Sequence, residues 1–517
     1  LVIDADDRLY LRRHFDYEQR LARRLTQASR PFPRELDAIV ASRLTSLFAD
    51  QGRGQSEVDW QKVAAALALQ RGLTIISGGP GTGKTTTVVN LLACLLYAQP
   101  DCRIALAAPT GKAAARMIEA IRSRARNLPE ELRELLPKEA FTVHRLLRSR
   151  PDRGFEHDSA NPLAIDALVV DEASMLDLAL ATRLFDAVPP TARIILLGDK
   201  DQLEAVESGA VFAELSANPV LTDVTRLSLA ALCGIPPAAL ATSPPAADAV
   251  LQDAVVWFTR SHRFADGSGI GRLASSLLVA TANETIDWLR HSADRSVRWS
   301  EGAGRGTVTT TLAAATTGYA LYGKLIATGN RDPAAATRAF DEFRVLCAMR
   351  EGPRGTLALN EQIARWIRQA LPAGDEGQGS WFAGRPVMVA RNDYALRLFN
   401  GDVGIALSDH NGALRVWFPD QQGQFRSLAP AQLPEHETAF AMTVHKSQGS
   451  EFGSVLVVLP DRPNRIVGRE LLYTAVTRAR ENVSLHASEA VLRAAIESPS
   501  RRRSGLRARL REAAAQT

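Results

Sequence analysis

Cysteine is scarce in this 517-residue sequence: only Cys94, Cys102, Cys233 and Cys347 occur. They form no paired metal-ligand spacing and are too few to staple so long a chain, which excludes a disulfide scaffold or zinc module and fits a reducing compartment. Long apolar runs are missing too. The most apolar stretches are interrupted by charges such as Asp171 and Glu172, so none approaches the roughly eighteen residues of a membrane span. Neither charge sign dominates: 62 Lys and Arg face 57 Asp and Glu, a net +5 with pI near 9.1. That balance permits a polyanionic partner without requiring one. With 46% hydrophobic and 23% charged residues, the chain can bury large cores and is not broadly disordered. A soluble, cytoplasmic protein of roughly three or four domains is expected. The first residue is Leu1, not Met, so a missing amino-terminal portion is expected and targeting signals are not judged.

What is present is a change of pattern along the chain. Residues 1–50 read as a strand at Arg8–Leu11, an Arg-rich helical stretch from Phe15 to Leu25, then Pro31 and Pro33: the tail of a domain whose body lies upstream. Over 51–226, apolar strands (Leu73–Ile76, Arg103–Leu106, Ala167–Val170, Arg193–Leu197) alternate with helical segments, the pattern of a parallel sheet covered on both faces. Residues 228–254, rich in Ala and Pro, read as a connection between domains. A second mixed region covers 227–379. The period then drops to two at Pro386–Val389, Asp402–Ile405 and Leu414–Phe418, with Asn400-Gly401 and Asn411-Gly412 as hairpin turns. A small barrel-like β insertion over 380–434 is the economical reading. The apolar strand Ser454–Val458 and a helix over Glu470–Arg480 resume the α/β pattern in 435–517, which ends in a basic tail.

Directly after the first of these strands comes Gly78-Gly79-Pro80-Gly81-Thr82-Gly83-Lys84-Thr85, followed by Thr86 and a helix beginning near Lys84. Glycines let backbone N–H groups close around phosphate oxygens, and the helix amino terminus adds a favourable dipole. Lys84 is placed to reach β and γ phosphates and Thr85 to ligate magnesium. Asp171-Glu172 ends a four-residue apolar strand, which suits Asp171 as magnesium partner and Glu172 as the base that orients and deprotonates water. Gly198-Asp199 follows another such strand and precedes Gln202, a neutral amide suited to sensing a γ-phosphate.

In this order the residues resemble the superfamily 1 helicases, and specifically the RecD type. Ala108–Ala114 looks like helicase motif Ia, Thr142–Leu147 motif Ib, Val169–Asp177 motif II, Leu197–Leu203 motif III, Ser261–Phe264 motif IV, Thr443–Phe452 motif V and Leu472–Arg480 motif VI. The resemblance implies an α/β fold of two RecA-like parallel-sheet motor domains, the second carrying an SH3-like β-barrel insertion, with residues 1–50 the remnant of a domain that docks a partner. It implies ATP and Mg2+ as nucleotide and metal, with Gln61 reading the adenine edge and His262, Gly449 and Glu451 also at the nucleotide. It further implies 5′-to-3′ movement on single-stranded DNA, and action at duplex DNA ends within a heterotrimer with RecB-like and RecC-like subunits. No carboxylate-rich nuclease cluster stands out, so nuclease activity is expected in another subunit. A motor that couples hydrolysis to domain motion needs transition-state contacts from its second domain, and Arg263 and Arg478 are planar, permanently charged candidates.

For DNA, Thr110, Thr142, His144, Thr443 and His445 carry small donors suited to phosphates, and no aromatic box of a sequence-specific reader is visible, so sequence-tolerant single-strand binding is expected. Three features admit two readings each. Arg153–His157, within a small insertion over about 148–163, resembles a duplex-splitting pin or is a surface hairpin. Tyr394, Phe399 and Asn400 face DNA, or the two aromatics pack the barrel. The arginines between Arg501 and Arg511 touch DNA or a partner, or form a solvated tail. His262 departs from the family pattern, which has Tyr there. A stand-alone RecD-like helicase and a nucleotide-switched scaffold subunit are the alternatives to a RecBCD-type motor.

Overall fold

The computed structural model describes the chain except residues 33–37, 49–57, 151–153, 205–208, 210, 241–250, 265–266, 303–304, 373–378, 394, 421–422, 499–503 and 517. It divides into two units. The first comprises residues 1–200, 204–262 and 502–517, the second 201–203 and 263–501.

The first unit is built on a six-stranded sheet in the order Val255–Phe258, Leu73–Gly78, Arg193–Gly198, Ala167–Val170, Ile104–Ala108, Phe141–Thr142. Every pairing is parallel. The strands read as unbroken apolar runs because both faces are covered, and alternate residues serve opposite cores. Ile76, Leu106, Val169 and Ile195 join Val63, Val88 and Leu92 on one face. Ile75, Leu168, Val170 and Ile194 join Leu21, Leu25, Leu184 and Leu510 on the other.

Several expected boundaries are corrected. Val255–Phe258 pairs with Leu73–Gly78, so the first unit ends at His262 and not at 226. Within the supposed connection, Asp223–Cys233 is a helix capped by the Thr222 hydroxyl, while 241–250 lie outside the described residues. The amino-terminal helix Arg12–Ala28 buries Leu21 and Leu25 to 1% and 0% exposure. At about 1.5–3 kcal/mol per fully buried leucine, it is an integral part of the first unit. So is the carboxyl-terminal helix Leu506–Ala515, whose Leu506 and Leu510 share that core and whose Arg509 is buried against Asp4 and Glu512. This part of the arginine cluster is therefore no solvated tail. Arg501–Arg503 lie outside the described residues.

The second unit has a five-stranded parallel sheet in the order Val297–Ser300, Ala479–His486, Phe452–Val458, Phe343–Cys347, Ala441–Thr443. Along the chain, between Phe343–Cys347 and Ala441–Thr443, a separate antiparallel sheet is inserted, ordered Phe425–Leu428, Leu414–Pro419, Val403–Ser408, Pro386–Val389, His436–Thr438. Its inward residues Val387, Val389, Ala406, Val416 and Phe418 form a core of their own. Because His436–Thr438 pairs with Pro386–Val389, the insertion closes at 438, not 434. Phe399 is half-buried and Asn400 exposed; Tyr394 lies outside the described residues. Among the described residues, no helix is long and apolar enough to cross a membrane.

Candidate nucleotide and nucleic-acid site

A loop that presents its N–H groups inward to phosphate must turn its carbonyls outward, and those carbonyls need donors. The first unit supplies one to each residue of the loop between Leu73–Gly78 and the helix Lys84–Ala98. The Lys84 ammonium donates to the carbonyls of Gly78 and, at 3.1 Å, Gly79. Gly79 also accepts from the Thr82 hydroxyl at 2.8 Å. Ser261 Oγ donates to Pro80 O at 3.0 Å and the His262 amide to Gly81 O at 2.7 Å. Gln61 Nε2 donates to Thr82 O at 3.0 Å, and Gln61 is positioned by the helix Trp60–Gln70, whose amino terminus Asp59 caps. Gly83 sits at φ 84°, and a Cβ there would come within 2.2 Å of Gln61 Nε2. Only glycine serves at that position.

Thr85 and Thr86 begin the helix, half-buried. At the end of the buried strand Ala167–Val170, Asp171 Oδ1 accepts from the Glu172 amide at 2.9 Å, and Glu172 adopts φ 52°, a left-handed conformation uncommon for a non-glycine residue. Burial, and then the neighbouring Glu172 carboxylate, push the Asp171 carboxyl up to about 6, with Lys84 and Arg116 opposing. Two adjacent carboxyl groups with too little compensating charge are a donor set that fits a divalent cation. Asp199 is buried, and the Lys200 amide donates to Ser77 Oγ at 3.1 Å.

The second unit gathers the remaining candidates around residues 449–451. Arg263 Nη2 donates to Glu451 Oε1 at 2.7 Å. Arg478, 3% exposed, donates to Gln202 Oε1 at 2.6 Å and to Ser450 O at 3.3 Å. Gly449 turns the chain at φ 70°. Residues 201–203 are held further by Thr474, whose hydroxyl accepts from the Leu203 amide at 2.8 Å, and by Gln448, whose Nε2 donates to Leu203 O at 2.6 Å. Ser261, Gln448 and Thr474 fall in the segments likened to motifs IV, V and VI, but sequence reasoning assigned them no role. For Ser261 a signal existed in the outward carbonyls of a phosphate loop; for the other two, only the fold brings the partners together.

The threonines expected at DNA have a second duty. Thr110 Oγ1 accepts from the Ala113 amide and Thr142 Oγ1 from the Arg145 amide, both at 3.2 Å, capping the helices they precede. Thr443 Oγ1 accepts from Lys446 N at 3.4 Å. Each hydroxyl retains a proton to donate. His144 is exposed, its ring 5.9 Å from that of Phe155, and His445 is half-buried. Phe155 belongs to the hairpin of Ser149–Arg150 with Gly154–Phe155; Arg153 is outside the described residues.

A parallel-sheet unit with a braced phosphate loop and paired carboxylates defines a nucleotide hydrolase. Residues 61–208 match an AAA domain model and residues 438–486 a UvrD-like helicase C-terminal domain. The chain is 40% identical over 471 residues to the RecBCD enzyme subunit RecD of Mycolicibacterium smegmatis, covering 88% of this chain and 75% of that protein. It is 35% identical over 477 residues to the subunit of the same name from Haemophilus influenzae, covering 87% and 72%. With the ATP-dependent RecD2 DNA helicase of Deinococcus radiodurans it shares 32% over 420 residues, 79% of this chain and 46% of that one. The chain belongs to the RecD family. It is an ATP-hydrolysing DNA helicase.

Proposed function

We propose that this chain is the 5′-to-3′ single-strand motor of a cytoplasmic RecBCD-type heterotrimer, working with RecB-like and RecC-like subunits on duplex DNA ends in double-strand break repair and recombination. The observation that carries the ATPase at the centre of this reading is the phosphate loop whose carbonyls all have donors, with Asp171 close enough to feel the Lys84 charge, and similarity to RecBCD enzyme subunits RecD supports the assembly. In this reading both units are RecA-like motors, and the antiparallel sheet is an SH3-like insertion. Gln61 and His262 lie at the base of ATP, and the loop from Gly78 to Thr86 lies at its phosphates. Thr85 and Asp171 would hold Mg2+, which supplies positive charge at phosphate oxygens. Lys84 neutralises β and γ oxygens, Glu172 orients the attacking water and takes its proton, and Gln202 senses the terminal phosphate. Arg263 and Arg478 stabilise charge on the transferring group, which is where arginine contacts contribute most. Thr110, Thr142, His144, Thr443 and His445 donate to DNA phosphates.

Three measurements test the reading. Unwinding should require a 5′ single-stranded overhang; equal unwinding from a 3′ overhang removes the direction. Co-elution with RecB-like and RecC-like chains tests the heterotrimer, and elution alone would favour the stand-alone reading. Single-strand affinity should fall with salt at about −0.7 log units per log unit for each phosphate neutralised and vary little with base sequence. A salt-independent, strongly sequence-selective isotherm contradicts phosphate contacts.

A further inference from the structure

The division between the two units falls between neighbouring residues. His262 closes the first unit and Arg263 opens the second. Each is fixed at once within its own unit: the His262 amide to Gly81 of the phosphate loop, the Arg263 guanidinium to Glu451. Ser261, immediately before, adds its hydroxyl to Pro80 O at 3.0 Å. The phosphate loop and the residue-451 loop are thus tied to one covalent strand a single peptide bond apart.

The phosphate loop cannot keep its present bonding when it works. Lys84 spends donors on the carbonyls of Gly78 and Gly79, and an ammonium has only three. To meet a β and a γ phosphate oxygen at once, as the proposed role requires, Lys84 needs two donors where one is left, so it must leave at least one of those carbonyls and the loop must adjust. Pro80 and Gly81 lie in the middle of the loop, and their carbonyls are the two held from 261–262.

We infer that Ser261 is a positioning residue of the ATPase: its bond to Pro80, with that of the His262 amide to Gly81, clasps the phosphate loop to the strand entering the second unit, so that loop rearrangement on nucleotide binding is passed to Arg263 and Glu451. The inference rests on the helicase reading above. Ser261 touches neither nucleotide nor DNA in this role. It acts through the loop on one side and through Arg263 on the other, and its hydroxyl can be removed without disturbing the backbone bond beside it.

The test compares the full-length wild type with Ser261→Ala and Ser261→Thr, using a fluorescent ATP analogue for binding and steady-state hydrolysis with and without single-stranded DNA. Ser261→Ala should weaken nucleotide binding about three- to tenfold, the range set by losing one neutral hydrogen bond, and should lower the ratio of DNA-stimulated to unstimulated turnover. Ser261→Thr, which keeps the hydroxyl, should restore both. Were Ser261→Ala not to fold, the isosteric pair Ser261→Val and Ser261→Thr makes the same comparison. Wild-type binding and wild-type stimulation in the Ala variant would overturn the inference. Weakened binding with an unchanged stimulation ratio would reduce Ser261 to a brace of the loop and overturn the transmission. Absence of DNA-stimulated hydrolysis in the wild type itself would sink the motor reading instead, and that result is read without any variant.

Discussion

The two parallel sheets carry their candidate site residues at opposite ends of their strands. In the first unit the phosphate loop follows Leu73–Gly78, Asp171 follows Ala167–Val170, and Asp199 follows Arg193–Gly198, all at carboxyl ends, where open α/β sheets bind ligands. In the second, Glu451 immediately precedes Phe452–Val458 and Arg478 immediately precedes Ala479–His486, both at amino ends. In the reading proposed above, the first sheet holds the nucleotide at the carboxyl ends of its strands and the second offers side chains from the amino ends of its own. That proposed division would suit a motor, in which one unit binds nucleotide in ground and transition states alike while the other contributes contacts that matter when charge moves.

The sharpest way to break this comparison is at Lys84. Lys84→Ala should abolish ATP hydrolysis and strand separation while leaving single-strand binding within a few fold, because the lysine serves the phosphate loop and not the residues assigned to DNA. Persistent DNA-stimulated hydrolysis in that variant would remove the first sheet from the chemistry. Next in size, Arg478→Ala should lower turnover by about a thousandfold with nucleotide binding nearly intact, since an arginine finger acts chiefly on transition-state charge. A nucleotide titration matched to a steady-state assay checks it; weakened binding at unchanged turnover would make Arg478 a ground-state contact and erase the contrast between the sheets. Because Arg478 also holds Gln202 and Ser450, a melting curve must accompany the assay.

How much of this was legible before the fold was known depends on the range of the interactions. Strand 73–78, its loop and its helix are contiguous, so the sequence shows them at once, and the same holds for Asp171 at the end of an apolar run. Where Val255–Phe258 belongs is not local. It lies about 180 residues from its partner strand Leu73–Gly78, beyond an Ala/Pro-rich stretch that reads as a linker, and only sheet pairing returns it to the first unit. The carboxyl-terminal helix behaves likewise: its arginines suggest solvent, but Leu506 and Leu510 complete a core begun by Leu21 and Leu25. In the site, motif spacing points to Arg263 and Arg478 but not to what holds them. Glu451 as partner of Arg263, and Gln202 as partner of Arg478, are pairings between segments 188 and 276 residues apart.

His262 sits where the two units meet in sequence, and its replacement probes which of them its ring serves. Its amide is committed to Gly81 while its ring is exposed. If the ring lies against the adenine when ATP is bound, His262→Tyr enlarges the stacking face and should tighten ATP binding by up to about tenfold, the value of an aromatic contact worth roughly 0.5–1.5 kcal/mol. Maximal turnover should barely change, because stacking on the base acts equally in ground and transition states. ATP dissociation constants of the wild type and the variant that coincide from pH 6 to 8 would place the ring off the base.

The smallest expected effect sharpens the comparison without touching the chemistry. In the first unit, burial pushes the Glu214 carboxyl up to about 7 from its ordinary 4.5, with Glu18 and Glu204 adding to the rise and Ser504 and Arg507 opposing it; Glu18 is raised too, again chiefly by burial. Here the native state binds the proton more tightly than the unfolded chain, so stability is greatest at low pH and declines as pH rises from 4.5 to 7. In the second unit, burial and then Arg354 push His486 down to about 4 from 6.5. There the unfolded chain takes the proton first, so stability is full above 6.5 and declines as pH falls towards 4. The two slopes have opposite sign, and each kcal/mol corresponds to about 2–4 °C for a unit of this size. Hydrogen exchange at pH 5 and pH 7 reads them separately: amides of Leu506–Ala515 should lose protection at the higher pH and amides of Ala479–His486 at the lower. Glu214→Gln should flatten the first slope and leave the second, and a common slope in both units would show that these two side chains do not set it.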